Sequence, residues 1–418
     1  MEPSPEPSGG VRVSPALRSE VMKLRRADNV SNLGYLAMEY LSLAAVIGGA
    51  VAFAESRERW GLAWSWNVPV FAIALVLVGA IQHRLAGLGH EAAHYTFMRN
   101  RFLNDLIPDL FCMFPLLTAT HFYRVFHMAH HQFTNDPGRD PDILNLGHGK
   151  RFDEFPMSRA RFVRVIYFGF LVAPVRFLRY QWAYIEVNTL GQGKNAYYDR
   201  SGGGRARLGT LLGLAYVFGI NAAYWALTLS DRPRWLAPAG LIGIGLAAAG
   251  IYGLPGRIHF RSPLRSIYSV RFASLIRLGY YTLTLGLLAH LRWATAGASV
   301  PYVFLLWFLP MGTSFMFFMF LRDVYQHSNA DAGRLTNSRV FHADPFTRWA
   351  VFVYGQDMHI PHHLYPAIPH YRLRRLHELL RREDPAYRER VVETHGTFRD
   401  PAGRRTILDE LTGPRAAT

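Results

Sequence analysis

The sequence predicts an all-α protein: a polytopic transmembrane helix bundle of about four to six spans, with a cytosolic helical cap that carries a histidine-rich site. Three observations point there. Half of the 418 residues are hydrophobic and only 18% are charged, and the apolar residues fall in blocks too long for the core of an ordinary soluble domain. A membrane helix needs about 20 mostly apolar residues, and six blocks provide that length. Half of the 18 histidines fall into spaced motifs at or beyond the ends of those blocks.

Along the chain, the opening MEPSPEPSGG is acidic and rich in Pro, Ser and Gly, with no apolar stretch behind a basic tip. It does not fit a cleavable secretory signal, and residues 1–30 are expected to form a disordered cytosolic tail. Residues 31–385 form the expected membrane domain, with spans at Leu33 to Ala54, Asn67 to Ala86, Leu208 to Leu229, Trp235 to Leu254, Leu275 to Leu291 and Val300 to Leu321. Two weaker blocks are expected to lie at the interface or to re-enter. Leu106 to Thr120 is short and broken by Pro108 and Pro115, and Phe162 to Leu178 carries Arg164, Pro174 and Arg176. The run Phe315 to Phe320, FMFFMF, reads first as lipid-facing packing and second as the wall of a substrate tunnel. Residues 386–418 are expected to be a cytosolic tail, with little order from Asp400 onward. Before it, HYRLRRLHELLRREDPAY places Leu373, Leu376, Leu379 and Leu380 near helical spacing with Arg between them. This predicts a basic amphipathic helix on the membrane surface or packed on the cytoplasmic part.

Lys and Arg collect on the cytoplasmic side of membrane proteins. Lys23, Arg25 and Arg26 therefore place the N-terminal segment inside, and crossing out and back leaves Gly89 to Arg207 inside too. The basic linker GRIHFRSPLRSIYSVRFASLIR and everything after Leu321 fall on the same side. The +16 formal charge is accounted for by this pattern and by attraction to anionic lipid. No recognised nucleic-acid module is present, so nucleic acid is not an expected partner. The single cysteine, Cys112, rules out an internal disulfide and a thiolate cage; any metal must rely on imidazole and oxygen.

The first motif, His90 to His94, is H-E-x-x-H. FHMAHHQFTND then supplies His127, His130 and His131, RDVYQHSNAD supplies His327, and DMHIPHHLYP supplies His359, His362 and His363. Two H-x-x-H-H motifs would arise by accident in roughly one chain of this composition in two thousand. On a helix, positions i, i+3 and i+4 share a face, so the second motif aims three imidazoles at one place. Pro361 suits a first turn, so His362 and His363 are expected to open a helix, with His359 on the entry to it. Nine imidazoles exceed one ion's needs, and two ions fit better. Ligand type alone leaves iron, zinc, copper and nickel open. The remaining nine histidines, His342 and His377 among them, lack such spacing and read as loop, interface or packing residues.

HEAAH, HMAHH and HIPHH in this order, with the continuations HHQFTND and HHLYPAIPHYRL and with His327 before the last box, resemble the three-histidine-box membrane fatty acid desaturase family and its hydroxylase and ketolase relatives. The resemblance covers His83 to His377 and is strongest in the boxes. It implies two non-haem irons at the cytosolic end of the bundle, held by His90, His94, His127, His130, His131, His327, His359, His362 and His363, with molecular oxygen as co-substrate. It further implies desaturation of a fatty-acyl or other lipid chain, or, on the same scaffold, lipid hydroxylation or carotenoid ketolation or hydroxylation. Electrons are expected from an external donor: ferredoxin, rubredoxin or a small cytochrome with its reductase. Two departures stand out. The family usually has four spans, whereas the interval from His131 to His327 is long enough for an extra hairpin. The third box begins with His359 rather than the Gln of front-end desaturases, and without a His-Pro-Gly-Gly stretch no fused cytochrome is expected.

Acidic groups near the boxes are candidates to orient ligand imidazoles through their far nitrogens: Glu91, Asp136, Asp140, Asp142, Asp357 and above all Asp323, one turn before His327. In a zinc metalloprotease Glu91 would instead be the general base of HEAAH. That reading leaves both H-x-x-H-H boxes unexplained, and the chain has no Asp-Gly of the kind the intramembrane metalloproteases pair with this motif. A metal transporter or sensor would place ionisable groups near mid-span, not at span ends.

Overall fold

The protein is described by a computed structural model covering residues 14–198, 205–264 and 266–414. Among these, six helical runs are long and apolar enough to cross a membrane: Ser31–Trp60, Trp64–Ala93, Arg207–Leu229, Pro233–Gly253, Val270–Ala294 and Ser299–His327. Each falls on one of the six predicted blocks. The second runs seven residues past the predicted end at Ala86, because the apolar pattern continues without a break into the first histidine box.

The weaker blocks behave as their prolines dictate. Pro108 ends the helix Arg101–Pro108, a π-helical turn follows, and Pro115 sits in the 3₁₀ turn Phe114–Leu116. The chain then bends by 89° into the helix Thr120–Phe133. The second weak block breaks into short turns before the helix Pro174–Asn188. Phe168, Leu171, Val175, Leu178 and Trp182 are exposed there, as suits a segment lying at an interface.

A close contact sets the relation between the two spans that carry histidines. A Cβ on Gly79 would stand 2.0 Å from Ser314 Oγ and 2.6 Å from Phe315 N, so glycine lets the helices approach there, as small residues do within membranes. Ser314 Oγ donates to Leu75 O at 2.7 Å. The two spans reach the same end of the bundle with His90 and His327 in their final turns. The FMFFMF run is part of this packing: Phe315, Met316, Phe318, Met319 and Phe320 are all buried in the main core. The lipid-facing reading is thereby corrected, since helical spacing cannot tell a lipid face from a protein face.

Both tails depart from expectation. Residues 1–13 lie outside the described residues, but the order begins before residue 30. Ser14 Oγ accepts from Leu17 N at 3.1 Å and opens the helix Pro15–Leu24. Leu17, Val21 and Leu24 share a core with Leu376, Leu379 and Leu380 of the helix Leu373–Glu383. The basic amphipathic helix predicted there thus lays its leucines on protein. At the other end, β1 (Val340–His342) pairs in parallel with β2 (Glu393–His395), a small exception to the all-α architecture. Beyond Asp400 the chain forms the helix Ile407–Thr412, closed by a capping box between Thr406 and Asp409. Ile407, Leu408 and Leu411 enter the main core, so the expected lack of order past Asp400 is corrected. Three apolar side chains in a short polar stretch give no visible periodicity, but they suffice to anchor one helical turn.

Candidate metal centre

The histidines arrive on four elements. His90 occupies the last turn of the Asn67–Ala93 helix and His94 caps it; the chain then reverses at Tyr95, whose φ of 59° is left-handed. His127, His130 and His131 lie along Thr120–Phe133, and His327 closes Ser314–His327. The third box forms the helix His359–Leu364. His359 is its first residue rather than a residue on the entry, and Pro361 falls in the first turn, where a missing N–H costs nothing.

All nine side chains come together. His90, His94, His127, His131 and His362 each offer a ring nitrogen, all within 4.8 Å of one another. His130, His327 and His363 form a second such group. His359 joins it, its Nε2 standing 2.9 Å from that of His327 and 3.1 Å from that of His363. The groups adjoin through the stacked rings of His131 and His363, with centroids 4.2 Å apart. Nitrogens bonded to one first-row ion at roughly 2 Å stand about 3 Å from each other. The His362–His131 and His131–His127 Nε2 pairs are both at 3.0 Å. Burial holds the pKa values of His359, His362 and His363 well below the ordinary range, and neighbouring imidazoles push the same way. These rings are therefore neutral, the form that binds metal. His94 Nε2 is buried with no hydrogen-bond partner among the described residues. On donor type and spacing, the residues fit a pair of imidazole-held ions.

Three rings of the second group are turned by their far nitrogens. His130 Nδ1 donates to Asp140 Oδ1 at 3.0 Å. His327 Nδ1 donates to Asn337 O at 3.3 Å. Thr134 Oγ1 donates to His130 O at 2.7 Å, which leaves its lone pairs to accept from His363 Nδ1 at 3.2 Å. In each case the tautomer that satisfies Nδ1 leaves the Nε2 lone pair facing the group. In the first group, Glu91 Oε1 is 3.6 Å from His90 Nδ1. Its other oxygen accepts from Thr96 Oγ1 at 2.9 Å and from His370 N at 3.0 Å. This carboxylate is thus engaged in holding the box rather than poised as a protease base.

The other candidate acids do not reach an imidazole. Asp323 binds Lys150 Nζ at 2.9 Å and the Arg322 guanidinium at 2.9 Å. Asp136 pairs with Arg139, and Asp357 with Arg348 and Arg374. One turn of helix separates Asp323 from His327 in sequence, but a buried ammonium captures its carboxylate first. Asp142 is intermediate, 3.7 Å from His130 Nδ1 and 3.2 Å from Lys150.

Two residues that sequence reasoning missed tie these elements together. Arg124, almost wholly buried, donates to Ala93 O at 3.1 Å and Ala92 O at 2.8 Å and pairs with Asp105 at 2.8 Å. It caps the C-terminus of the first-box helix from within the second-box helix. Lys150, wholly buried, bridges Asp142 to Asp323; burial opposes its charge, and the two carboxylates outweigh that and raise its pKa. A cavity of about 30 Å³ beside the histidines is lined by Tyr123, Tyr184, Asn188, Met319, Arg322 and Asp323 among others.

A family model described as Fatty acid desaturase matches residues 64–254 and 255–395. Among curated proteins, the chain is similar to dihydrorhizobitoxine desaturase of Bradyrhizobium elkanii, 30% identical over 41% of this chain and 45% of that one. It is similar to the sn-1 oleoyl-lipid 12-desaturase of Anabaena variabilis, 34% identical over 16% of this chain and 19% of that one. It is also similar to the sn-1 acyl-lipid omega-3 desaturase (ferredoxin) of Nostoc sp. (strain 36), 30% identical over 23% and 24%. The chain spans less than half the length of these curated relatives.

Proposed function

The chain belongs to the fatty acid desaturase family, a class of di-iron oxidoreductases, and from that premise we propose that it desaturates a fatty-acyl or other lipid chain in the membrane. The balanced reaction takes one hydrogen from each of two adjacent carbons, with dioxygen, two electrons and two protons, and yields a double bond and two waters. The convergence of nine histidines into two adjoining groups at one end of the apolar helices is the observation that carries this reading. His90, His94, His127, His131 and His362 would hold one iron, and His130, His327, His359 and His363 the other. When bound, the two irons supply the dioxygen-derived oxidant that abstracts hydrogen from an unactivated carbon.

The protein's own groups do the rest. Asp140, Asn337 and Thr134 fix imidazole tautomers, so that Nε2 lone pairs are presented before any ion arrives. Arg124 locks the second-box helix to the first, and Lys150 ties the helix Pro141–Lys150 to the one that ends in His327. Tyr123, Tyr184 and Met319 form the apolar part of the cavity against which a reacting carbon would rest, and they exclude water from it. Electrons would come from a separate donor such as ferredoxin, a rubredoxin or a small cytochrome. The basic flanks of the histidine end, Lys23, Arg25 and Arg26 with the Arg-rich helix Leu373–Glu383, support a cytoplasmic location for it.

A second reading follows from the polar part of the same cavity. Arg322, Asp323, Asn188 and Gln326 stand close enough to the histidines to favour a substrate with a polar group near the reacting carbon. Iron and zinc analysis of the purified protein, followed by product profiling in an expressing host, tests both. About two irons per chain with new unsaturation in membrane lipid supports the first reading, and unsaturation only in a small polar substrate supports the second. A hydroxylated or ketolated lipid would move the chain to the alternative reading, hydroxylation or ketolation on the same scaffold. A protein that takes up no iron even under iron-supplemented expression, and holds only zinc, would overturn the di-iron reading.

A further inference from the structure

Outside the nine-histidine centre, His342 and His377, read from sequence as loop or packing residues, meet Glu393. Their ligand atoms all lie within 4.8 Å of one another. His342 ends β1, Glu393 begins β2 and His377 comes from the helix Leu373–Glu383, so three separate elements contribute one group each. His342 Nε2 is 2.9 Å from Glu393 Oε2. His377 Nε2 is 3.7 Å from Glu393 Oε1, beyond hydrogen-bonding range.

The orientation of His377 is fixed from behind. Its Nδ1 lies 2.7 Å from the hydroxyl of Tyr387, which is fully buried. With Nδ1–H donating to that hydroxyl, the Nε2 lone pair points at a carboxylate. The Nε2 lone pair and Glu393 Oε1, which also pairs with Arg381, stand 3.7 Å apart, a spacing that two ligands of one ion can span. Burial pushes the His377 pKa down to about 4 and Glu393 pulls only partly against it, so the imidazole is a neutral donor near neutral pH. Arg381 contacts Glu393 Oε1 at 3.0 Å and His342 Nε2 meets Oε2 at 2.9 Å, so an ion bound here would take the place of the His342–Glu393 hydrogen bond and be held by both groups. We propose that His342, His377 and Glu393 bind a divalent transition-metal ion of the zinc class, two imidazoles and one carboxylate leaving a fourth position for water on the side where His342 is exposed.

The site would act as a clasp for the third box. Phe341 N donates to Asp357 O at 2.8 Å, Val340 bridges to Met358, and Ile360 N approaches Arg339 O at 3.4 Å. The strand ending in His342 therefore backs the segment that opens with His359. An ion joining His342 to β2 and to the helix Leu373–Glu383 would hold that strand against the C-terminal part of the chain. The site is separate from the nine-histidine centre, and only the iron readout of its test rests on the di-iron reading.

The test is zinc and iron content per chain, by elemental analysis, with zinc-binding titration of the chelator-washed full-length protein against its Glu393→Gln and His342→Gln variants. The expected result is a loss of one zinc per chain in each variant with iron content unchanged, and a roughly 10–100-fold weaker zinc affinity in Tyr387→Phe. Unchanged iron reports that a variant has folded. If Glu393→Gln loses iron as well, the partly exposed His342→Gln decides. Equal zinc content and equal affinity in wild type and the folded variants would overturn the proposal.

Discussion

The helices that carry histidines and the three-helix group Arg207–Leu229, Pro233–Gly253 and Val270–Ala294 look alike as apolar blocks, but they are held in different ways. Over its apolar stretch, Ser299–His327 is 39% buried in protein and Arg207–Leu229 and Val270–Ala294 only 11%, whereas Trp64–Ala93 and Pro233–Gly253 are alike at 28%. The three-helix group has its own small core of Ile220, Tyr224, Leu236 and Ala289. It joins the rest through few polar contacts, among them Tyr268 to Asp109 and Arg277 to the carbonyls of Leu117 and Thr189 at 3.0 and 3.1 Å. The histidine end is instead cross-linked by buried charge, Arg124 to Asp105 and Lys150 to Asp142 and Asp323. Without water, apolar helices gain little by choosing one another over lipid. Position to the accuracy that metal ligation needs comes from the directional contacts. The three-helix group fills the interval that the sequence marked as room for an extra hairpin, and it leaves the centre's geometry to others.

The largest expected effect separates the two regions outright. His130→Ala or His363→Ala should reduce turnover to background and lower iron per chain together, with the protein still inserted in the membrane. Full activity in either variant would remove that ligand from the assignment. Next comes the cross-link. Arg124→Met leaves the Asp105 carboxylate buried and unpaired, which should cost about 3–5 kcal/mol and lower the thermal midpoint in detergent. Exchanging both partners, Arg124→Met with Asp105→Leu, should recover much of that. If the double variant melts no higher than the single one, the pair is not what couples the first two boxes. Smaller again, Asp140→Asn keeps the shape but weakens the hold on His130 Nδ1, so iron affinity should fall roughly 10–100-fold while the melting midpoint of the iron-free protein stays put.

These contacts also mark where the sequence was legible. The i, i+3, i+4 spacing of the boxes is a local signal, and the six spans follow from block length, so both could be read without coordinates. Asp140 was among the acids named because it follows the second box closely and the chain turns back there. Asp323 misled because a one-turn separation says which face a side chain leaves from, not which partner captures it. Arg124, Lys150, Thr134 and Asn337 act on elements distant in sequence or through a backbone carbonyl, and neither kind of contact leaves a pattern along the chain. The helices Pro15–Leu24 and Ile407–Thr412 were missed for a related reason: each presents only three buried apolar side chains, too few to stand out in polar surroundings.

The smallest effect is the sharpest test of the comparison itself. Ile220 is 9% exposed and packs in the small core of the three-helix group. Ile220→Val removes one methyl group there and should cost about 0.5–1.5 kcal/mol. If the group is an accessory held by its own core, thermal melting followed by a probe within it should shift by this amount, and iron content and turnover should match wild type. If instead iron falls in step with the melting shift, the two regions unfold as one cooperative unit. In that case Tyr268 and Arg277, the contacts that join the group to the bent segment before the second box, would be transmitting stability into the centre. A larger truncation on the site side, Val324→Ala, which removes two methyl groups at a fully buried position one turn before His327, gives an upper reference for how strongly a cavity near the candidate ligands lowers iron occupancy.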